Sequence, residues 1–139
     1  MTDTPHSHEN VETQCGHIFH AEDSQTIVVL VARFLRAKGY QVESAANGRE
    51  ALARILAQPA AHDLVIMDYV MPELNGLECV TALRENGFAG KIVVFADSLP
   101  DGVADQFLAL GVSRILYKSS DFGSLDHVIH DLLHPPETK

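Results

Sequence analysis

The sequence has no tryptophan and few aromatic residues, three Tyr and six Phe. It has only two cysteines, Cys15 and Cys79, too few for a disulfide framework. Basic residues are scarce: Lys and Arg number 10 against 19 Asp and Glu, a net charge of −9 with His neutral. Such a chain repels a phosphate backbone, which argues against nucleic-acid binding. Long hydrophobic runs are missing as well. The longest uncharged aliphatic run, Ile27–Ala32, is closed by Arg33, far short of the ~20 residues that cross a membrane. Residues 1–14 are polar and lack the apolar centre of a signal peptide. These absences point to a cytoplasmic protein with no membrane or nucleic-acid partner. They exclude collagenous, coiled-coil, membrane and disulfide-rich classes.

What is present is enough apolar material for one core, 46% of 139 residues. Residues 1–15 read as a disordered polar tail and 135–139 as a short C-terminal tail, leaving one domain over 16–134. Within it, short apolar runs alternate with amphipathic stretches. Strands are predicted over 17–21, 40–45, 64–67, 92–96 and 114–117. Helices are predicted over 24–38, after Asn47-Gly48 as far as Pro59, over 76–85, over 102–110 and over 124–133. In the first helix Ile27, Leu30, Val31, Phe34 and Leu35 form an inward stripe, so the run Ile27–Ala32 is expected to be buried. In the last helix Leu125, Val128, Ile129, Leu132 and Leu133 are expected inward. Strands three and four are apolar throughout, as in a parallel sheet covered by helices on both faces. Five strand–helix units then wind into an α/β sandwich. Its functional crevice lies beyond the carboxyl ends of the strands, where strand order reverses.

The residues at those ends carry chemistry. Strand one ends in Glu22-Asp23, strand three in Asp68, and strand five in Lys118. Three carboxylates at one edge repel and call for a counter-charge. Their oxygens suit Mg²⁺, which takes one or two carboxylates and keeps several waters. A divalent cation and an ammonium beside a carboxylate make a site for a transferred phosphoryl group, with the carboxylate attacking in line. Each residue alone reads blandly: Glu22-Asp23 as a helix cap, Asp68 as a strand-end acid, Lys118 as a surface lysine.

Taken in order, they resemble the receiver domain of two-component response regulators over nearly all of 16–134. The matching residues are Glu22-Asp23, Asp68 within DLVIMDYVMPELNG, Met71-Pro72, Gly76 and Lys118. The resemblance implies a flavodoxin-like fold with strand order 2-1-3-4-5. It implies Asp68 as phosphoacceptor, and Mg²⁺ held by Asp23, Asp68, the backbone carbonyl of Val70 and, as an outer partner, Glu22. Lys118 would contact the phosphoryl group. The partners implied are a histidine kinase or histidine phosphotransfer protein and a downstream protein target. No DNA-binding module follows the domain in this sequence, so a stand-alone receiver is expected, monomeric or weakly dimeric, with output by protein contact.

The sequence departs from the family at its switch positions. The Thr or Ser that ends strand four is Ala96, with Ser98 a partial substitute at a different backbone position. The aromatic residue three before the lysine is Ile115. The Pro after the lysine is Ser119. Phosphorylation is expected to persist, and the usual hydroxyl–aromatic coupling to be altered or absent. Val70 and Ser98 flank the path of water to the acceptor; an apolar Val70 cannot orient that water, which implies slow self-dephosphorylation.

Two other classes compete. An interaction module that no longer uses phosphorylation is favoured by Ala96 and Ile115 and opposed by the complete acid–lysine set. A phosphatase with a nucleophilic Asp needs a second acid two residues on, where Val70 stands, so the reading is a signalling switch and not an enzyme. A flavin carrier is weaker still, because the loop after strand one is acidic and would repel a flavin phosphate. Among the eight histidines, the pairs His6/His8 and Cys15/His17 form no closed metal-ligand set. His127 and His130 are expected on the polar side of the last helix. No histidine is expected beside the acids, and Cys79 reads as a packing residue.

Overall fold

A computed structural model describes residues 16–135; the tail expected at 1–15 and most of that expected at 135–139 lie outside the described residues. The elements in chain order are β1 (Gly16–Ala21), α1 (Gln25–Arg36), β2 (Tyr40–Ala45), α2 (Gly48–Ala57), β3 (Leu64–Met67), α3 (Gly76–Glu85), β4 (Lys91–Ala96), α4 (Val103–Ala109), β5 (Arg114–Tyr117) and α5 (Leu125–Leu133). A helical turn over Lys118–Asp121 and a 3₁₀ turn over Phe122–Ser124 lead into α5. All strand pairs are parallel, and the sheet runs β2-β1-β3-β4-β5. This is the expected doubly wound, flavodoxin-like order.

Side-chain alternation along the central strands divides the core into two layers. Phe19, Val65, Met67 and Val94 face α2, α3 and α4, where Ile55, Leu83 and Phe107 meet them. Ile18, Ile66, Val93 and Phe95 face the other way, onto Val31 and Leu35 of α1 and Leu125 and Ile129 of α5. Cys79 is buried in the first layer. Strands three and four are apolar at every position because both of their faces are covered.

Helix starts follow local chemistry. Ser24 caps α1, its Oγ accepting from the Ile27 N–H at 3.4 Å. Asn47 caps α2 through Oδ1, at 2.7 Å from the Glu50 nitrogen. Asn75 and Glu78 form a reciprocal capping box at the start of α3, at 2.8 and 2.9 Å. Arg84, in the last turn of α3, donates to the carbonyls of Phe88, Gly90, Leu110 and Gly111. It thereby ties the loop before β4 to the end of α4.

One packing expectation is overturned. Leu30 is 45% exposed and Val29 42% exposed, so the run Ile27–Ala32 is not a buried segment. The inward face of α1 is centred on Val31 and Leu35, with Ala32 also buried. At about 100° per residue, Leu30 sits a quarter-turn or more from Val31, on the side away from Leu35. Helix α1 also ends at Arg36, two residues before the predicted Lys38, and the chain turns out through Gly39 at φ 98°. In α5, Leu125, Val128 and Ile129 are buried, while Leu132 and Leu133 are half-buried near its end.

Candidate functional site

The sheet order puts the ends of β1 and β3 side by side, Ala21 opposite Met67. The ladder continues one residue beyond both strands. The Asp68 N–H donates to the Ala21 carbonyl at 3.1 Å, and the Glu22 N–H donates to the Ala45 carbonyl at 3.0 Å. Glu22 and Asp68 are therefore fixed by backbone pairing, not by loop conformation. The strand order reverses at β1, with β2 on one flank and β3 on the other, so these acids stand in the crevice that such folds use for ligands.

Glu22, Asp23 and Asp68 each offer a carboxylate oxygen, and these oxygens lie within 4.8 Å of one another. Glu22 and Asp68 are buried, while Asp23 is exposed. Lys118, directly after β5, reaches into the cluster. Its Nζ lies 2.8 Å from Glu22 Oε1 and 3.2 Å from Asp68 Oδ2. Two backbone amides complete the frame: Ser24 N–H donates to Glu22 Oε2 at 3.1 Å, and Tyr69 N–H donates to Asp68 Oδ1 at 2.7 Å.

The electrostatics follow from burial and crowding. Burial, opposed by the Lys118 contact and reinforced by the Asp68 charge, pushes the Glu22 carboxyl up to about 7. The two carboxylates outweigh the desolvation of Lys118 and hold its ammonium above the usual lysine range. One ammonium thus serves two buried acids, with a third acid at the rim.

The predicted acid–lysine set is brought together. The other predicted positions surround it differently. Ala96 is buried at the end of β4, opposite Tyr117. Ile115 is half-buried and packs against the layer that holds Phe107 and Leu83. Val70 is 70% exposed and Ser98 is exposed. His127 and His130 face solvent on α5.

The expectation that no histidine lies beside the acids is wrong. His20, in β1, is 0% exposed, and its Nε2 lies 3.9 Å from Glu22 Oε1. Burial, then the nearby Lys118 charge, push its imidazole down to about 3. The strand period carried the signal: residues two apart share a face, so His20 and Glu22 point the same way.

Within the loop after β3, Gly76 is required by close approach. A methyl group on its α-carbon would stand 1.9 Å from the Asp68 carbonyl oxygen. The Gly76 N–H also donates to the Tyr69 carbonyl at 2.7 Å. The loop is folded back onto the end of β3 at that glycine.

Many known proteins resemble this chain in sequence or in fold. The transcriptional regulatory protein PcoR of Escherichia coli is 32% identical over 118 residues, covering 84% of this chain and 50% of that protein. The chain spans half or less of the length of several curated relatives it matches, PcoR among them. Among solved structures, response regulator TrrA from Thermotoga maritima, in complex with Mg²⁺-BeF, has a TM-score of 0.74. It is 28% identical and covers 84% of this chain and 98% of that one. Chemotaxis protein CheY4 of Vibrio cholerae has a TM-score of 0.73 at 29% identity, covering 84% and 98%. Among the described residues no helix is long and apolar enough to cross a membrane. The family model of the response regulator receiver domain matches residues 18–130, a span that contains every acid of the cluster together with Lys118, and the chain belongs to that family.

Proposed function

We propose that the chain accepts a phosphoryl group on Asp68, from a phosphohistidine of a kinase or phosphotransfer protein, with Mg²⁺ bound in the acid cluster. The observation that carries this reading is Lys118 Nζ held between Glu22 and Asp68 at 2.8 and 3.2 Å. A half-buried ammonium there both balances the resting acids and stands ready for the oxygens of an incoming phosphoryl group.

The donor set fits the metal. Glu22, Asp23 and Asp68 supply only hard oxygens, and three acids against one lysine leave the cluster negative. Asp23, Asp68 and the backbone carbonyl of Val70 would hold the ion, with Glu22 as its outer partner. When bound, Mg²⁺ neutralises charge on the phosphoryl oxygens. Asp68 forms the new P–O bond as the P–N bond to the donor imidazole breaks, and that imidazole regains a proton from solvent. Tyr69 N–H holds Asp68 Oδ1 during the approach. The product is an acyl phosphate on the protein, and the role is that of a switch and not a catalyst with turnover on a free substrate.

Ala96 has no hydroxyl to close on the phosphoryl group, and Ile115 is no aromatic rotor. Output is therefore transmitted to a protein target without the hydroxyl–aromatic coupling of most receivers. The test is intact-protein mass after incubation with a small phosphodonor and Mg²⁺, wild type against Asp68→Ala. One added phosphoryl group, lost in the variant and without Mg²⁺, is the expected result. No adduct from small donors or from a phosphohistidine protein would leave a phosphorylation-independent interaction module.

A further inference from the structure

His20 is a polar side chain where the layer around it is apolar. It pairs in register with Ile66 on β3, and Ile18, Ile66 and Phe95 of the same face form the core under α1 and α5. It is fully buried, and neither ring nitrogen has a hydrogen-bond partner. Buried polar groups are nearly always paired, and an exception calls for an explanation. A leucine or isoleucine here would match its neighbours without leaving two nitrogens unsatisfied.

The explanation lies 3.9 Å away, at Glu22 Oε1. That distance is too long for a hydrogen bond. The oxygen is already taken by Lys118 at 2.8 Å, and the same ammonium serves Asp68 at 3.2 Å. Lys118 cannot keep both partners once Asp68 carries a phosphoryl group, whose three oxygens draw the ammonium forward. Glu22 Oε1 is buried, has no well-aligned hydrogen bond beside its ion pair, and would then lose its paired cation as well. Among the described residues His20 is the one other side chain with a ring N–H close to that oxygen. An approach of about 1 Å closes the gap to hydrogen-bond length.

We infer that His20 is a positioning residue whose Nε2–H takes over Glu22 Oε1 when Lys118 turns to the phosphoryl group. It keeps the Glu22 carboxylate oriented in the acid cluster while the lysine is engaged elsewhere. The inference rests on the proposed role of Asp68 and Lys118. It adds a residue to that site and explains an otherwise unsatisfied imidazole.

The test uses the full chain in two measurements. In the first, Asp68 phosphorylation by phosphoramidate with Mg²⁺ is followed by intact mass in wild type, His20→Leu and His20→Gln. The glutamine carries an amide N–H to nearly the same place as Nε2. His20→Leu is expected to be phosphorylated about tenfold more slowly, the worth of a lost hydrogen bond to a charged group, with His20→Gln restored to within about threefold. In the second, the imidazole ¹⁵N–¹H spectrum of the wild-type protein is recorded with and without beryllofluoride and Mg²⁺. The His20 Nε2–H proton is expected to move downfield on addition, and this reading does not depend on how the variants fold. Equal rates in wild type and His20→Leu, equal slowing in both variants, or an unmoved Nε2–H proton would each overturn the inference while leaving the acceptor reading intact. Absence of any phosphoryl adduct on wild type would remove the acceptor reading, and this inference with it.

Discussion

The carbonyl oxygen of Asp68 occupies the space where a side chain on Gly76 would begin, 1.9 Å from the position of a methyl group. Residue 76 opens α3, eight positions after Asp68, so the start of that helix and the backbone at the end of β3 are in direct contact. Nothing in the side chains of the site reveals this coupling.

Gly76→Ala is expected to lose about 3 kcal/mol of stability, the upper range for forcing a methyl group into a packed site, because the obstacle is backbone. It should also slow phosphorylation, since relief of the clash displaces the Asp68 peptide. Urea melts and the mass assay measure the two effects. A variant within about 0.5 kcal/mol of wild type would show that α3 shifts without resistance.

The site was legible in the sequence because its residues stand at strand ends. Continuous apolar runs, LVIM and IVVFA, located Asp68 and Ala96, and the reversal of strand order brought Glu22 beside Asp68. Leu30 was misplaced because a run of six apolar residues satisfies every helical face at once. Periodicity cannot then choose which face is inward, and contact with the sheet decides it. His20 was missed because a histidine in a short strand is ordinary until its neighbour across 3.9 Å is known to be an acid. The turn Lys118–Asp121 left no apolar pattern. It forms because the Asp121 carboxylate accepts the Tyr117 N–H at 2.8 Å.

Asp68→Ala removes one of two buried carboxylates that share a single ammonium. Lys118 retains Glu22 at 2.8 Å, and the Asp68 charge that raises the Glu22 carboxyl is gone. The variant is expected to fold with a melting temperature equal to or above that of wild type in Mg²⁺-free buffer. Wild type should be stabilised by added Mg²⁺, and the variant much less. Thermal melts with and without Mg²⁺ check both points; a variant that melts lower without Mg²⁺ contradicts the charge-repulsion argument.

His20 and Glu22 set opposite pH dependences in the Mg²⁺-free protein. Folded His20 holds no proton until about pH 3, whereas the unfolded imidazole takes one near 6.5. Stability from this group is present above 6.5 and is lost as pH falls, at about 1.4 kcal/mol per unit. Folded Glu22 keeps a proton up to about pH 7, against 4.5 when unfolded. Its contribution is present below 4.5 and lost as pH rises through 7. The two oppose each other between 4.5 and 6.5, so wild type should vary little there and weaken below. His20→Leu removes the first term, and its stability relative to wild type should rise steadily as pH is lowered from 6.5. Urea melts from pH 4 to 8 measure this, and a difference independent of pH would refute the burial of a neutral imidazole.

Val70 stands two residues after Asp68, the proposed acceptor, and is 70% exposed, so its side chain is free to affect chemistry without supporting the core. A valine offers no donor or acceptor to a water approaching the acyl phosphate. An asparagine there would offer both, and Ser98, just after β4, is also an exposed polar residue. Val70→Asn is expected to shorten the lifetime of the phosphorylated protein by about tenfold, the scale of one hydrogen bond made to the attacking water. Its melting temperature should stay within about 1 °C of wild type, because an exposed substitution away from the core changes little. Decay is followed by intact mass after removal of the phosphodonor. A variant that keeps its phosphoryl group as long as wild type, or longer, would mean that access of water is limited elsewhere, and the exposed path past residues 70 and 98 would no longer account for a slow switch.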